Sequence, residues 1–220
     1  MTGIIPYADR ADAGTQLATA LALLALERPV VLGIPRGGVP VAAEVARRLG
    51  GQLGVVVARK LGAPSQPELA VGAVTADGAV YVDDELARRV GASQSYMERV
   101  ARRERAEAQR REQAFGANRI PLAGRNVIVV DDGIATGATA VAALRSVRAA
   151  GASRVVLAVP VGPGSTLNAM RAEADDVVCP HAEEDFFAVG EFYSDFRAPT
   201  DDEVRTLLRS GEPEDLSLSL

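Results

Sequence analysis

The sequence predicts an α/β fold, a parallel sheet flanked by helices, and three observations carry that expectation. Apolar runs at 30–34 (VVLGI), 127–130 (VIVV) and 155–161 (VVLAVPV) lack alternation, as strands buried on both faces do. Segments with apolar residues at helical spacing fall between such runs, and strands alternating with helices build a parallel sheet. Short turns of small residues, 35–40 (PRGGVP) and 131–139 (DDGIATGAT), follow two of the strands, at the end of such a sheet where ligands bind. The whole order, strand–helix–strand, hairpin, long helix, then strand–helix–strand–helix–strand, is a Rossmann-like sheet carrying an insertion.

The elements follow in order. Asp9 or Asp12 caps a first helix, whose Leu17, Leu21 and Leu24 recur at helical spacing up to Leu26, and Arg28-Pro29 stops it. After the strand 30–34 and its turn, a helix over 41–49 ends at Gly50-Gly51. A strand over 54–59 closes on Arg59-Lys60 and is followed by 61–68, whose Gly and Pro suit a lid loop leaving the core. The runs 69–74 and 79–82 flank Asp77-Gly78 and read as a hairpin.

From Asp83 the chain turns helical, and Ser93 caps a long helix ending near Phe115-Gly116. Glu98 with Arg102 and Glu107 with Arg111 give that helix a solvated face, while Met97, Val100, Ala108 and Phe115 point inward. Beyond the strand 127–130 come an Ala-rich helix over 140–150, the strand 155–161, a short helix from Pro163 to about Ala172 and a last strand at 177–179. Thr200 and Glu203 form a capping box for a helix over 201–209, and 211–220 reads as a loose tail. One domain is expected over 1–220, with lid, hairpin and long helix inserted at about 61–118 and a hood-like aromatic segment at about 180–199.

Composition sets the bounds. With 220 residues, 48% hydrophobic and a net charge of -5, the chain reads as soluble and globular and carries no basic footprint for nucleic acid. The single cysteine, Cys179, has no internal partner, as in a reducing compartment, and the longest apolar run, 17–26, is too short to span a bilayer. The expected setting is cytoplasmic, away from membranes.

The chemistry centres on 127–139 (VIVVDDGIATGAT). A buried strand ends in two carboxylates, Asp131 and Asp132, and small residues lead into a helix N-terminus. Free N–H groups and the positive dipole end at such a start suit a phosphate. Paired carboxylates suit sugar hydroxyls or a hydrated Mg²⁺, so a ribose carrying a phosphate satisfies both halves. The alternative is an ordinary strand-to-helix turn with one Asp as cap. The turn 35–40 offers amides at Gly37 and Gly38 and a fixed charge at Arg36, a set suited to an anion.

This stretch resembles the signature of the type I phosphoribosyltransferases: a hydrophobic strand, two acidic residues, a short loop and Thr-Gly-x-Thr. The resemblance implies binding of phosphoribosyl pyrophosphate with Mg²⁺, with Asp131 and Asp132 at the ribose hydroxyls and as indirect metal partners through substrate or water. It places Ala135, Thr136, Gly137, Ala138 and Thr139 around the 5-phosphate, and Arg36, Gly37 and Gly38, similar to the family's pyrophosphate loop, at the leaving group. The family often carries a non-proline cis peptide in that loop, equivalent here to Pro35-Arg36. Arg59-Lys60 resembles the pair that precedes a mobile lid in the orotate-type members, with Lys60 placed to neutralise the departing charge.

The segment 180–199 holds four of the five phenylalanines and the only histidine, His181. It either closes the core or presents a ring, Phe186 or Phe187, for stacking on a flat acceptor. The second reading follows a likeness between 187–195 and the base-binding segment of the hypoxanthine-guanine members. Those members carry an Asp and a Lys in the phosphate loop where this chain has Ala135 and Ala138, so the loop is closer to the orotate or adenine type. The chain also resembles bacterial phosphoribosyltransferases of unassigned substrate in KLGAPSQPELAVGA, VDDGIATGAT and AVGEFYSDF. The expected activity is phosphoribosyl transfer to a nitrogenous acceptor such as a nucleobase; the alternative is a regulator that binds phosphoribosyl pyrophosphate or a nucleotide without turnover. A homodimer is left open.

Overall fold

The computed structural model describes residues 6–115 and 120–210. Helix α1 (Arg10–Leu21) is capped by Asp9, whose carboxylate accepts the Asp12 N–H at 2.9 Å, so Asp9 is the cap of the two the sequence allowed. Strand β1 (Val30–Gly33) turns into α2 (Gly38–Leu49), which ends on Gly50 in the left-handed region at φ 60°. The single strand expected at 54–59 is two strands. β2 (Gln52–Val55) belongs to the central sheet, Val56 and Val57 then bury into opposite core layers, and β3 (Ala58–Ala63) starts a separate sheet.

The lid loop expected at 61–68 is the tip of a β-hairpin. β3 pairs antiparallel with β4 (Gln66–Thr75), with register shifts around Gly62. The Gly and Pro that read as loop signals serve this irregularity: Gly62 lies against the Pro67 backbone with no room for a Cβ. β5 (Val80–Val82) completes a three-stranded sheet. Helices α3 (Asp84–Arg89) and α4 (Gln94–Ala114) follow with the caps Asp83 and Ser93. α4 packs Met97 and Val100 on Leu61, Val71 and Val74, and its buried Glu104 accepts two bonds from Arg59 at 3.1 and 2.9 Å. Its outer face pairs Glu107 with Arg110 and Arg111, the solvated face the sequence predicted. Residue 116, the expected helix end, lies outside the described residues.

Then come β6 (Asn126–Val130), α5 (Ala138–Ala149), β7 (Arg154–Ala158), β8 (Val161–Pro163), α6 (Gly164–Met170), β9 (Asp176–Val178), β10 (His181–Glu183) and α7 (Asp201–Ser210). The run 155–161 breaks because Pro160 has no N–H for a ladder; its carbonyl accepts the Tyr7 hydroxyl at 2.8 Å and the His181 N–H at 3.2 Å. α7 opens with the expected box: the Thr200 N–H donates to Glu203 at 2.7 Å and the Glu203 N–H to the Thr200 hydroxyl at 3.2 Å. The expected tail at 211–220 is outside the described residues.

The central sheet is parallel, in the order β2-β1-β6-β7-β9. Val31, Ile128 and Val156 face α1, α2 and α7, while Val30, Val129 and Leu157 face α5 and α6, which is why these runs show no alternation of polarity. No helix among the described residues is long and apolar enough to cross a membrane.

Cys179 follows β9, and burial pushes its thiol up to about 12. Since the thiolate is the nucleophile, iodoacetamide at pH 8 is expected to label the native chain at least about tenfold more slowly than the chain in urea. Equal rates would contradict the buried placement.

Candidate active site

Strand order reverses between β1 and β6: the chain leaves β1 for β2 on one side and returns to β6 on the other. The carboxyl ends of two strands at such a switch point leave a crevice for ligands. Both small-residue turns are there. The Ile34 N–H donates to the Val130 carbonyl at 2.8 Å, so the first turn is tied to the strand carrying the acidic pair. The Pro35-Arg36 peptide is cis.

Gly37 and Gly38 lie directly on the acidic pair. A Cβ on Gly37 would overlap the Asp132 carboxylate, and one on Gly38 would sit 2.5 Å from the Val130 carbonyl and 2.9 Å from Asp131 Cα. Gly37 has φ -61°, which any residue adopts, so closeness of approach is what requires glycine here. Arg36 is exposed, and its guanidinium is 3.7 Å from Asp201 at the start of α7.

Asp131 Oδ1 accepts the Asp132 N–H at 2.9 Å. Asp132 Oδ2 is held by Arg10, through Nε at 2.8 Å and Nη2 at 2.7 Å. The Asp132 carbonyl accepts the Tyr193 hydroxyl at 2.5 Å. Asp131 is thus anchored by a backbone N–H and Asp132 by a guanidinium, and the two carboxyl groups also meet each other. Burial, then the neighbouring Asp132 charge, holds the Asp131 carboxyl well above the usual carboxylate range. Burial also raises Asp132, against the opposing pull of the Arg10 guanidinium.

Arg10 and Tyr193 were not expected from sequence. Tyr193 is brought in by an isolated parallel bridge to Tyr7 and by its ring against Phe196, 5.0 Å between centroids. Arg10 did leave a trace: it is a cation in the first turn of a helix, where the dipole disfavours positive charge, so another contact must hold it there.

The turn after Asp132 runs over the sheet to α5. Ile34 and Ile134 bury beneath it, the Ala135 carbonyl accepts the Thr166 hydroxyl at 2.7 Å, and Gly137 takes φ 80° against Met170 and Thr166. Ala135 and Thr136 are exposed, Thr139 is half-buried, and no side chain caps α5, so its first N–H groups remain free for a ligand. The three-stranded sheet sits beside this helix start: Ala58 and Ala73 pack on Ala138 and Ala142. Lys60 pairs with Ala73, so strand alternation puts it on the α5 side, whereas Arg59 pairs with Val74 and turns to Glu104 on α4. The two basic residues therefore face opposite ways. Lys60 is exposed and is the only lysine in the sequence.

The aromatic segment closes the other side. Val189 packs on Gly133, Phe186 stacks on Phe192 with centroids 5.6 Å apart, and Phe187 is 87% exposed. Phe187 is thus the free ring of the two candidates. His181 opens strand β10 rather than lying in a loop, and meets the Tyr7 ring edge-on at 5.3 Å.

The sequence profile of the phosphoribosyl transferase domain matches residues 10–197. Two Mycobacterium tuberculosis proteins, from strains CDC 1551 / Oshkosh and H37Rv, each named "Putative phosphoribosyl transferase", are 50% identical over 204 residues, 92% of this chain. The chain spans 46% of their length, about half. The crystal structure of TT1426 from Thermus thermophilus is 46% identical and superposes with a TM-score of 0.81, covering 94% of this chain and 99% of that one. AQ2163 of Aquifex aeolicus, 14% identical with a TM-score of 0.52 over 82% of this chain and 78% of that one, shares the fold.

Proposed function

The chain belongs to the phosphoribosyl transferase family, and from that premise we propose that it moves the ribose 5-phosphate of phosphoribosyl pyrophosphate to a nitrogenous acceptor, releasing pyrophosphate. The observation that carries the reading is the pair of adjacent, anchored carboxylates on Asp131 and Asp132, next to an uncapped helix N-terminus. Two acceptors side by side suit the 2- and 3-hydroxyls of a ribose, and the free amides of Ala138 and Thr139, with the Thr136 and Thr139 hydroxyls, suit its phosphate. Gly37 and Gly38 bring backbone against the acidic pair, so a pyrophosphate on C1 would lie along that turn with Arg36 beside it.

In this reading the C1–O bond to pyrophosphate breaks, charge of an oxocarbenium kind develops on the ribose, and the acceptor nitrogen forms the new bond and loses its proton. Catalysis is then positioning and electrostatics. Lys60, on the α5 face of its hairpin, is assigned to the charge on the leaving group. Arg59 is assigned to anchoring that hairpin through Glu104. Phe187 is assigned as a stacking face for a flat acceptor, with Phe186 behind it on Phe192.

The donor set also fits Mg²⁺ held through the substrate. Among the described residues no cluster of three or more acidic, histidine or cysteine side chains could cage a metal by itself, whereas Mg²⁺ typically keeps its waters and binds through one or two carboxylates plus substrate phosphates. When bound it supplies charge neutralisation on the pyrophosphate; Asp131 and Asp132 would meet it through water or the ribose.

The test is a pyrophosphate-release screen with phosphoribosyl pyrophosphate and Mg²⁺ over purines, pyrimidines and small amines. Release with at least one acceptor is expected, and Lys60→Ala should lower its kcat about 100-fold with a smaller change in KM, as for loss of one donor that acts on developing charge. Tight binding of the donor without release across the whole panel would favour the non-catalytic regulator instead.

A further inference from the structure

Arg10 sits under the acidic pair, largely buried, with each of its three guanidinium nitrogens engaged. Its Nε and Nη2 both donate to Asp132 Oδ2, its Nη1 donates to the Arg197 carbonyl at 2.8 Å, and its guanidinium lies over the Phe196 ring, 4.0 Å from the centroid. Its side chain is 9% exposed. The Arg197 guanidinium is spent on Glu203 at 2.7 Å, so the carbonyl that receives Arg10 is fixed by the opening of α7. The contacts form a chain from the C-terminal segment through Arg10 to one oxygen of Asp132, with Tyr193 steadying the carbonyl of the same residue.

We infer that Arg10 is a positioning residue for the ribose-facing carboxylates: by holding Asp132 Oδ2 it fixes the rotamer in which the second oxygen stays available to a ribose hydroxyl. This rests on the proposed phosphoribosyl reading and extends it to a residue 122 positions away in the chain. The geometry favours this over packing alone. Filling space beneath Phe196 needs only an apolar stem, whereas three aligned donors, two of them on one carboxylate oxygen, fix direction. A carboxylate in such a place without its partner would be a largely buried charge with no guanidinium to hold its Oδ2, the oxygen that lies where a Cβ on Gly37 would be.

The experiment measures phosphoribosyl pyrophosphate binding by calorimetry, with Mg²⁺, for the full chain and four variants. Arg10→Met keeps the stem under Phe196 and is expected to lose about 10- to 100-fold in affinity, the usual cost of removing a partner that orients a ligating group. Arg10→Lys, which restores one charged donor, is expected to recover most of that loss. Asp132→Asn sets the reference, and Arg10→Met with Asp132→Asn is expected to bind no more weakly than Asp132→Asn alone, because Arg10 acts through that carboxylate. Wild-type affinity in Arg10→Met, equal losses in the Met and Lys variants, or multiplying losses in the double variant would each overturn the inference while leaving the parent reading intact. Should Arg10→Met melt below the assay temperature, the Lys variant carries the test, since full binding loss there contradicts the proposal. Absence of binding by the wild-type chain would remove the parent reading and this inference with it.

Discussion

Asp131→Asn combined with Asp132→Asn is expected to abolish phosphoribosyl pyrophosphate binding in a chain that still folds. In the proposed reading each carboxylate accepts one ribose hydroxyl, and a hydrogen bond to a charged group contributes about 1.5–3 kcal/mol, so losing both should weaken affinity by at least about 100-fold. The two single variants should differ in stability. The folded-state carboxyl of Asp131 is held above its unfolded value by burial and by Asp132, so the folded chain binds this proton more readily than the unfolded chain does. Between the ordinary carboxylate range and the raised value, stability therefore falls as pH rises, and above that window the full penalty is present. Asp131→Asn removes the penalty while its amide oxygen can still accept the Asp132 N–H, so its Tm at pH 8 should exceed that of wild type and the two should converge toward pH 4. Asp132→Asn also removes a raised carboxyl but leaves the buried Arg10 facing an amide, so its Tm at pH 8 should lie below that of Asp131→Asn. Calorimetry and melting curves over pH 4–8 read both effects. Unchanged affinity in the double variant would sink the ribose assignment, and a lower Tm for Asp131→Asn at pH 8 would sink the electrostatic account.

What could be read from sequence and what could not divide by range. The acidic pair, the cap Ser93, the choice of Asp9 or Asp12 as first cap and the Thr200–Glu203 box were legible because each is made within a few residues of itself. The run 54–59 misled because a continuous apolar stretch does not announce where it changes sheets; only the packing of Val56 and Val57 into different layers shows that. At 61–68 the same Gly and Pro serve a loop or an irregular hairpin equally, and the partner strand settles the matter. Sequence weighed Arg59 and Lys60 together because adjacent residues share a position, but on a strand neighbours point to opposite faces. Arg10 was the hardest case. Its partners Asp132, Phe196 and Arg197 are distant in the chain, and only its place at the wrong end of a helix dipole hinted at them.

Gly37→Ala and Gly38→Ala are expected to fail in different ways, although the two glycines are adjacent and both touch the acidic pair. At Gly38 the added Cβ meets backbone, the Val130 carbonyl at 2.5 Å and Asp131 Cα at 2.9 Å, in the middle of a sheet buried on both faces. Neither neighbour can rotate away, so strand and turn must separate, an overpacking cost of about 1–3 kcal/mol. For a chain of this length that corresponds to a fall of several degrees in Tm, at about 2–4 °C per kcal/mol. At Gly37 the neighbour is the Asp132 carboxylate, a side-chain end that turns about its own bonds, and the backbone conformation already suits alanine. The strand and turn can stay in place, but Asp132 would swing off Arg10 and out of its present orientation. Gly37→Ala is thus expected to lower Tm no further than Asp132→Asn does, since both loosen the same buried pair, while losing at least about tenfold in phosphoribosyl pyrophosphate affinity as an orienting contact is broken. Calorimetric titration beside thermal melting separates the two. A stable Gly37→Ala chain with wild-type affinity would mean that the turn and the acidic pair do not act on one ligand, and the crevice between β1 and β6 would lose its claim to be the site.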